Sequence, residues 1–149
     1  MVKTTEIIVE NFMESLPTIT KDTEINEVIN IMKRERTTSL PVVDKDGKLI
    51  GCIFDYNLIK LVRKGSPIAG FIWRNSIDKE DKNIKAEEIM DTKIVTISNT
   101  DTIETALNVM SNSNARLLMV TDREGKFLGV LRIRTIFSKI FEEIEEETK

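Results

Sequence analysis

Apolar and polar residues run along this chain in an ordered series of rhythms, and the series occurs twice. In the C-terminal half, Ile94-Val95-Thr96-Ile97 is short and rich in β-branched residues, the pattern of a strand. Ser98-Asn99-Thr100-Asp101 supplies turn and N-cap chemistry. Ile103, Ala106, Leu107 and Met110 then keep helical spacing until Asn112-Ser113-Asn114. Leu117 to Val120 predicts a second strand, Asp122-Arg123-Glu124-Gly125 a turn closed by glycine, and Phe127 to Leu131 a third strand. A last helix carries Ile133, Ile136, Phe137 and Ile140. The N-terminal half reads alike. Its strand is Pro17-Thr18-Ile19 and its helix bears Ile25, Val28, Ile29 and Met32. A hairpin follows through Asp44-Lys45-Asp46-Gly47, then a helix through Leu58, Ile59 and Val62.

A shift of 78 positions lays residues 16–59 on 94–137 without a gap, and such self-similarity decides the architecture. Thr18-Ile19 falls on Thr96-Ile97, Met32 on Met110, Leu40 on Leu118, Asp44 on Asp122, and Gly47 and Gly51 on Gly125 and Gly129. Each copy is a β-α-β-β-α unit, so the expected class is α/β of the α+β type, two repeats packed as a pseudo-twofold pair. A lone repeat would leave a sheet face and a helix stripe wet. Pairing buries both, at roughly 25 cal/mol per Å² of apolar surface. The seam between copies is then the natural place for a ligand. A short helix precedes each copy, Val9 to Met13 and Ala86 to Met90, matched by a shift of 77. The expected limits are 9–63 for repeat 1, 64–85 for a connector, 86–141 for repeat 2 and 142–149 for an acidic tail.

Composition narrows the classes. Of the 149 residues, 40% are apolar and 32% charged, an ordinary globule with enough chain for a real core. No apolar run approaches the roughly 20 residues that span a membrane, and Met1-Val2-Lys3-Thr4-Thr5 has no apolar signal core, so a cytoplasmic location and no membrane partner are expected. The single cysteine, Cys52, lies between Ile50 and Ile53 and reads as a small buried hydrophobe rather than a reactive thiol. Net charge is −3, and the acidic excess comes from Glu142-Glu143 and Glu145-Glu146-Glu147, a solvated helix end. No basic stripe marks nucleic acid as a partner. Phe71-Ile72-Trp73 in the connector either caps one end of the core or offers a hydrophobic contact to a partner.

Leu40-Pro41-Val42-Val43-Asp44 with Asp46-Gly47-Lys48-Leu49-Ile50-Gly51, and Leu118-Met119-Val120-Thr121-Asp122 with Glu124-Gly125-Lys126-Phe127-Leu128-Gly129, complete a recognisable pattern. With the helices that end at Met13, Met90, Met32 and Met110, they resemble a tandem pair of CBS domains, the cystathionine-β-synthase-type regulatory module also called a Bateman module. The resemblance implies a stand-alone, non-catalytic regulator, with no required cofactor and a homodimeric disc. It implies an adenosine-containing ligand (AMP, ADP, ATP, S-adenosylmethionine or NADH) in the cleft between repeats, and a regulated partner protein. The ligand positions it implies are Thr18, Ile19, Thr38, Ser39, Pro41, Phe54 and Asn57 in the first copy. In the second they are Thr96, Ile97, Arg116, Leu117, Met119, Arg132 and Thr135.

The last of these segments departs from the family. Many adenosine-binding members resemble Gly-h-h-Thr-x-x-Asp there, whereas this chain has Gly51-Cys52-Ile53-Phe54-Asp55-Tyr56-Asn57 and Gly129-Val130-Leu131-Arg132-Ile133-Arg134-Thr135. Asn57 keeps hydrogen-bonding capacity for a ribose but forfeits a charge-assisted bond. Phe54 cannot bond phosphate but could stack on a base. Arg116, Arg132 and Arg134 gather in the second copy, either around an anion or turned to solvent or onto acidic neighbours. Catalysis finds no support: the chain has no histidine and no P-loop, and Asp44, Asp46, Asp122 and Glu124 read as turn residues. Two readings compete, an asymmetric ligand sensor and an interaction or oligomerisation module whose clefts have lost their ligands.

Overall fold

Five apolar side chains on one stripe, Ile25, Val28, Ile29, Ile31 and Met32, are buried along helix α1 (Ile25–Glu35). Helix α3 (Ile103–Ser113) buries Ile103, Ala106 and Met110 in the same way. Both helices stop identically: Arg36 and Asn114 take left-handed φ of 52° and 56°, and the next N–H returns to Met32 or Met110. Asn114 suits that conformation better than Arg36 does. The computed structural model describes residues 6–61 and 84–148, with the side chains of Lys60 and of residues 143–148 outside the description.

After each helix comes an antiparallel hairpin, β1 (Ser39–Val43) with β2 (Leu49–Phe54) and β4 (Leu117–Thr121) with β5 (Phe127–Arg132). The registers match, Val42 facing Gly51 and Val120 facing Gly129, and each has a bulge one residue later. Asp44 Oδ1 accepts the N–H groups of Asp46 and Lys48 at 2.8 and 2.9 Å, and Asp122 Oδ1 those of Glu124 and Lys126 at 2.8 and 3.0 Å. These aspartates are turn residues. Gly47 and Gly125 close the turns at φ of 82° and 88°, where a side chain would be strained.

The first strand differs between copies. β3 (Thr96–Ser98) runs parallel to β4, whereas Pro17-Thr18-Ile19 is reduced to one parallel bridge, Ile19 to Val42. The counterpart of Met119, whose N–H reaches Val95 O at 3.1 Å, is Pro41, which has no N–H to give to Pro17. The last helices differ too. α4 (Ile133–Thr148) is long and carries the acidic tail, whereas Asp55–Leu61 forms a 3₁₀ helix. Val62 and the Phe71-Ile72-Trp73 motif lie outside the described residues.

The chain divides into two compact units, Pro17–Lys93 and Met1–Leu16 with Ile94–Lys149. Each repeat is therefore completed by the segment that precedes the other. In the first unit, Ala86 and Ile89 of helix α2 (Ala86–Ile89) join a core of Ile19, Ile25, Val28, Met32, Leu40, Val42 and Ile53. In the second, Val9 and Phe12, at the 3₁₀ turn Val9–Asn11, join Ile97, Ile103, Met110, Leu118, Val120 and Leu131. The backbone bonds repeat pair for pair. The Ile25 N–H reaches Ile84 O and the Ile103 N–H reaches Ile7 O, satisfying a donor at each helix start. The fold is α+β, with mixed layers of helix and sheet in each unit.

Candidate functional site

Antiparallel pairing sets the site positions side by side. In the first unit Ser39 faces Phe54, and the Asp55 N–H reaches Thr38 O at 2.9 Å, so Thr38, Ser39 and Phe54 meet at one end of the hairpin. In the second unit Leu117 faces Arg132, and the Ile133 N–H reaches Arg116 O at 3.0 Å. Ile19 and Ile97 are core residues, and Pro41 and Met119 are buried, so these four have little side-chain surface to offer. Thr18, Thr38, Thr96 and Arg116 are exposed. Among the described residues, Ser39 Oγ is the buried side-chain oxygen with no hydrogen-bond partner.

Asn57 departs from its expected part as an open ribose contact. It is 1% exposed. Its Oδ1 accepts the Phe54 N–H at 2.7 Å and its Nδ2 donates to Asp91 Oδ1 at 3.0 Å. Both ends of the amide thus hold the end of β2 in place.

Asp91 and Glu14, which sequence reasoning passed over, are the hubs of the two sites. Each follows the segment completing the other repeat, and each pairs antiparallel with a β strand. Asp91 exchanges both backbone bonds with Cys52 at 2.9 Å, and Glu14 both with Val130 at 2.8 Å. The carboxylates then meet different neighbours. Asp91 accepts from the Tyr56 hydroxyl as well as from Asn57. That bond pushes the Tyr56 phenol up to about 12, because an acceptor carboxylate favours the protonated form. Tyr56 also stacks on Phe54, with ring centroids 5.3 Å apart and planes 7° from parallel. Glu14 Oε2 instead receives Arg132 Nε at 3.2 Å and Thr135 Oγ1 at 3.0 Å. The matching shift of 77 that aligns Met13 with Met90 also aligns Glu14 with Asp91, a signal present in the sequence.

Arg132 and Thr135 open onto a cavity of about 460 Å³ bordered by Glu14, Arg134, Ser138, Lys139 and Glu142. Lys139 Nζ donates to Asn11 O at 3.3 Å and lies 4.8 Å from the centre of the Phe12 ring. Three cations and two carboxylates thus border the opening. Cys52 is fully buried in β2, and burial pushes its thiol up to about 12, so it is not a nucleophile at neutral pH. Among the described residues, no group of three or more His, Cys, Asp or Glu side chains is placed to hold a metal ion. No helix among them is long and apolar enough to cross a membrane.

The CBS domain family matches residues 9–64 and 86–142. The chain belongs to the CBS domain family. A CBS domain-containing protein of Dictyostelium discoideum is 31% identical to it, over 85% of this chain and 86% of that one. Solved CBS pairs share the fold. CBSX2 in complex with AMP superposes with a TM-score of 0.71 at 20% identity, covering 91% of this chain and 97% of that one. The CBS domain pair of protein MJ0100, in complex with 5-methylthioadenosine and S-adenosyl-L-methionine, gives 0.66 at 23%, covering 91% and 96%.

Proposed function

We propose that this CBS pair is a non-catalytic regulatory module that senses an adenosine-containing ligand, from among AMP, ADP, ATP, S-adenosylmethionine and NADH, and relays its presence to a partner protein. The observation that carries this reading is the cavity of about 460 Å³ at Arg132 and Thr135, the segment where the family resemblance puts ligand contacts. Small-molecule sites span roughly 300–1,000 Å³. The unpartnered Ser39 Oγ beside Phe54 and the stacked Phe54 and Tyr56 rings support a second ligand surface in the other unit. The adenosyl ligands of the AMP and S-adenosylmethionine complexes support the ligand class. Relay to a partner requires the ligand to prefer one conformation, and the shift cannot exceed that preference.

The test is a thermal melt with AMP, ATP or S-adenosylmethionine. Ligand at 100 times its Kd adds about 2.7 kcal/mol, a shift of several degrees, and Arg132→Ala is expected to reduce it for the phosphorylated ligands. No shift with any of the three at millimolar concentration rejects the reading.

One observation favours the interaction reading. Phe137 and Phe141 stack along α4 at 6.1 Å while 43% and 58% exposed. A homodimer through this helix would cover them. Native mass spectrometry of freshly purified protein reports both the copy number and any retained ligand. A dimer that ignores nucleotide, and that Phe141→Ser dissociates, would support this second reading over the first.

A further inference from the structure

The arginine-bordered cavity of the second unit already has an anion at its edge, and that anion is part of the chain. Arg132 and Thr135 both direct their donors at one oxygen, Oε2 of Glu14. The matching oxygens of Asp91 in the first unit receive only the neutral donors of Tyr56 and Asn57. We propose that Glu14 is a built-in competitor for a phosphoryl group. The ligand's phosphate displaces the Glu14 carboxylate from Arg132 and Thr135, and this unit alone takes the phosphorylated end of a ligand. This deepens the ligand-sensing reading and rests on it for the site, though not for the adenosine.

The surroundings of Glu14 favour the exchange. The Arg132 and Glu14 side chains are 37% and 44% exposed, and an ion pair so open to water is weak enough to be replaced. A phosphoryl group brings more charge and more acceptor oxygens than a carboxylate, and a guanidinium fork suits it. The room lies on the same side, because the cavity that borders Glu14 also borders Arg134, Ser138 and Lys139. The Glu14 backbone does not need to move, since its two bonds to Val130 are independent of its side chain. In the first unit Phe54, Tyr56 and Asn57 stand where Arg132, Arg134 and Thr135 stand in the second. There a phosphate would meet the Asp91 carboxylate without an arginine to offset it.

The experiment is calorimetric titration of the full chain with pyrophosphate, AMP and adenosine, using wild type, Glu14→Gln, Arg132→Gln and Asp91→Asn. Glu14→Gln is expected to tighten pyrophosphate and AMP about three- to ten-fold and to leave adenosine unchanged. Arg132→Gln should abolish pyrophosphate binding, and Asp91→Asn should leave it at the wild-type value. Pyrophosphate that follows this pattern while AMP and adenosine fail to bind overturns the adenosine reading and upholds this one. Adenosine and AMP binding equally, with pyrophosphate failing in wild type and Glu14→Gln alike, does the reverse. Equal tightening in Asp91→Asn and Glu14→Gln also overturns the proposal. A readout free of mutation is the ¹³C resonance of the Glu14 carboxyl in wild type. It must shift when pyrophosphate is added, and a resonance that stays put while pyrophosphate binds sinks the idea.

Discussion

Replacing Gly129 by alanine would set a Cβ 2.6 Å from the carbonyl oxygen of Glu14 and 3.4 Å from its carbon. Neither Gly129 nor its counterpart Gly51 has a positive φ, so the local backbone accepts alanine and the cost is one of space. Two responses are open to the chain. The segment holding Glu14 can let go of β5, which gives up two backbone bonds at about 1 kcal/mol each and the burial of Val9 and Phe12 at about 1.5–3 kcal/mol each. That totals roughly 5–8 kcal/mol. Alternatively it can stay and absorb the overlap, which costs about 1–3 kcal/mol plus part of the two bonds. The second response is cheaper, so Gly129→Ala is expected to lose about 2–4 kcal/mol with the segment still attached. Gly51→Ala meets Met90 Sδ at 2.6 Å and Asp91 O at 3.0 Å. A thioether can swing aside, so about 1 kcal/mol is expected there. Urea unfolding gives both losses. Amide exchange at Val130 and Glu14 tells strain from release, since release would remove protection while strain only weakens it. A Gly129→Ala loss under about 0.5 kcal/mol, or a Gly51→Ala loss that exceeds it, would refute the crossing geometry.

Cys52 should resist a thiol-labelling disulfide at pH 8 in native protein and react promptly in urea, because burial holds it protonated up to about 12. With an ordinary value of 9.0, the folded state binds more protons than the unfolded one between about pH 9 and 12, so stability falls as pH rises through that window. The loss is about 3 kcal/mol by pH 11, and Cys52→Ala should flatten the descent, leaving the part due to Tyr56 between 10 and about 12. Equal native and unfolded labelling rates, or an unchanged descent in the variant, would count against it. Asn57→Ala strips partners from the Phe54 N–H and from Asp91, so about 2–4 kcal/mol should be lost with or without ligand. A loss under 1 kcal/mol in urea unfolding would restore Asn57 as an open ligand contact.

The parts of the fold that were legible in the sequence are those set by local pattern. The buried stripes of α1 and α3, the Asp44 and Asp122 turns and the glycines after them follow from spacing and turn chemistry within one repeat. The reduced first strand of the N-terminal copy was not, because it depends on Pro41 lacking the N–H that its counterpart Met119 donates to Val95 O, a bond between segments far apart in the chain. Nor was the crossing of Val9 and Phe12 onto the second repeat, and of Ala86 and Ile89 onto the first. An apolar pair in a short segment specifies burial without saying which core receives it. The same limit hid Asn57, since an amide looks alike in sequence whether it faces a ribose or the Phe54 N–H. Glu14 and Asp91 were visible as aligned acids, but their donors come from the other repeat and only the fold brings them together.

The crossing also accounts for how the two copies could diverge in charge while keeping the same backbone bonds at the crossing. The bonds that join Glu14 to Val130 and Asp91 to Cys52 use main-chain atoms only, and what they demand of the sequence is room, supplied by Gly129 and Gly51. The side chains around the crossing are free of that demand. One copy filled the positions with Phe54, Tyr56 and Asn57, of which Tyr56 and Asn57 donate to a carboxylate without neutralising it. The other filled them with Arg132, Arg134 and Thr135, where the carboxylate neutralises a cation. A buried amide such as Asn57 is costly to unbond, because each released donor or acceptor loses its partner, whereas a half-exposed ion pair is broken with little penalty. Asn57 is buried, so its bonds to the Phe54 N–H and Asp91 are costly to break, whereas the Glu14–Arg132 pair is half-exposed and weak. At the crossing the two copies differ in four pairs of side chains, Phe54 and Arg132, Tyr56 and Arg134, Asn57 and Thr135, and Asp91 and Glu14.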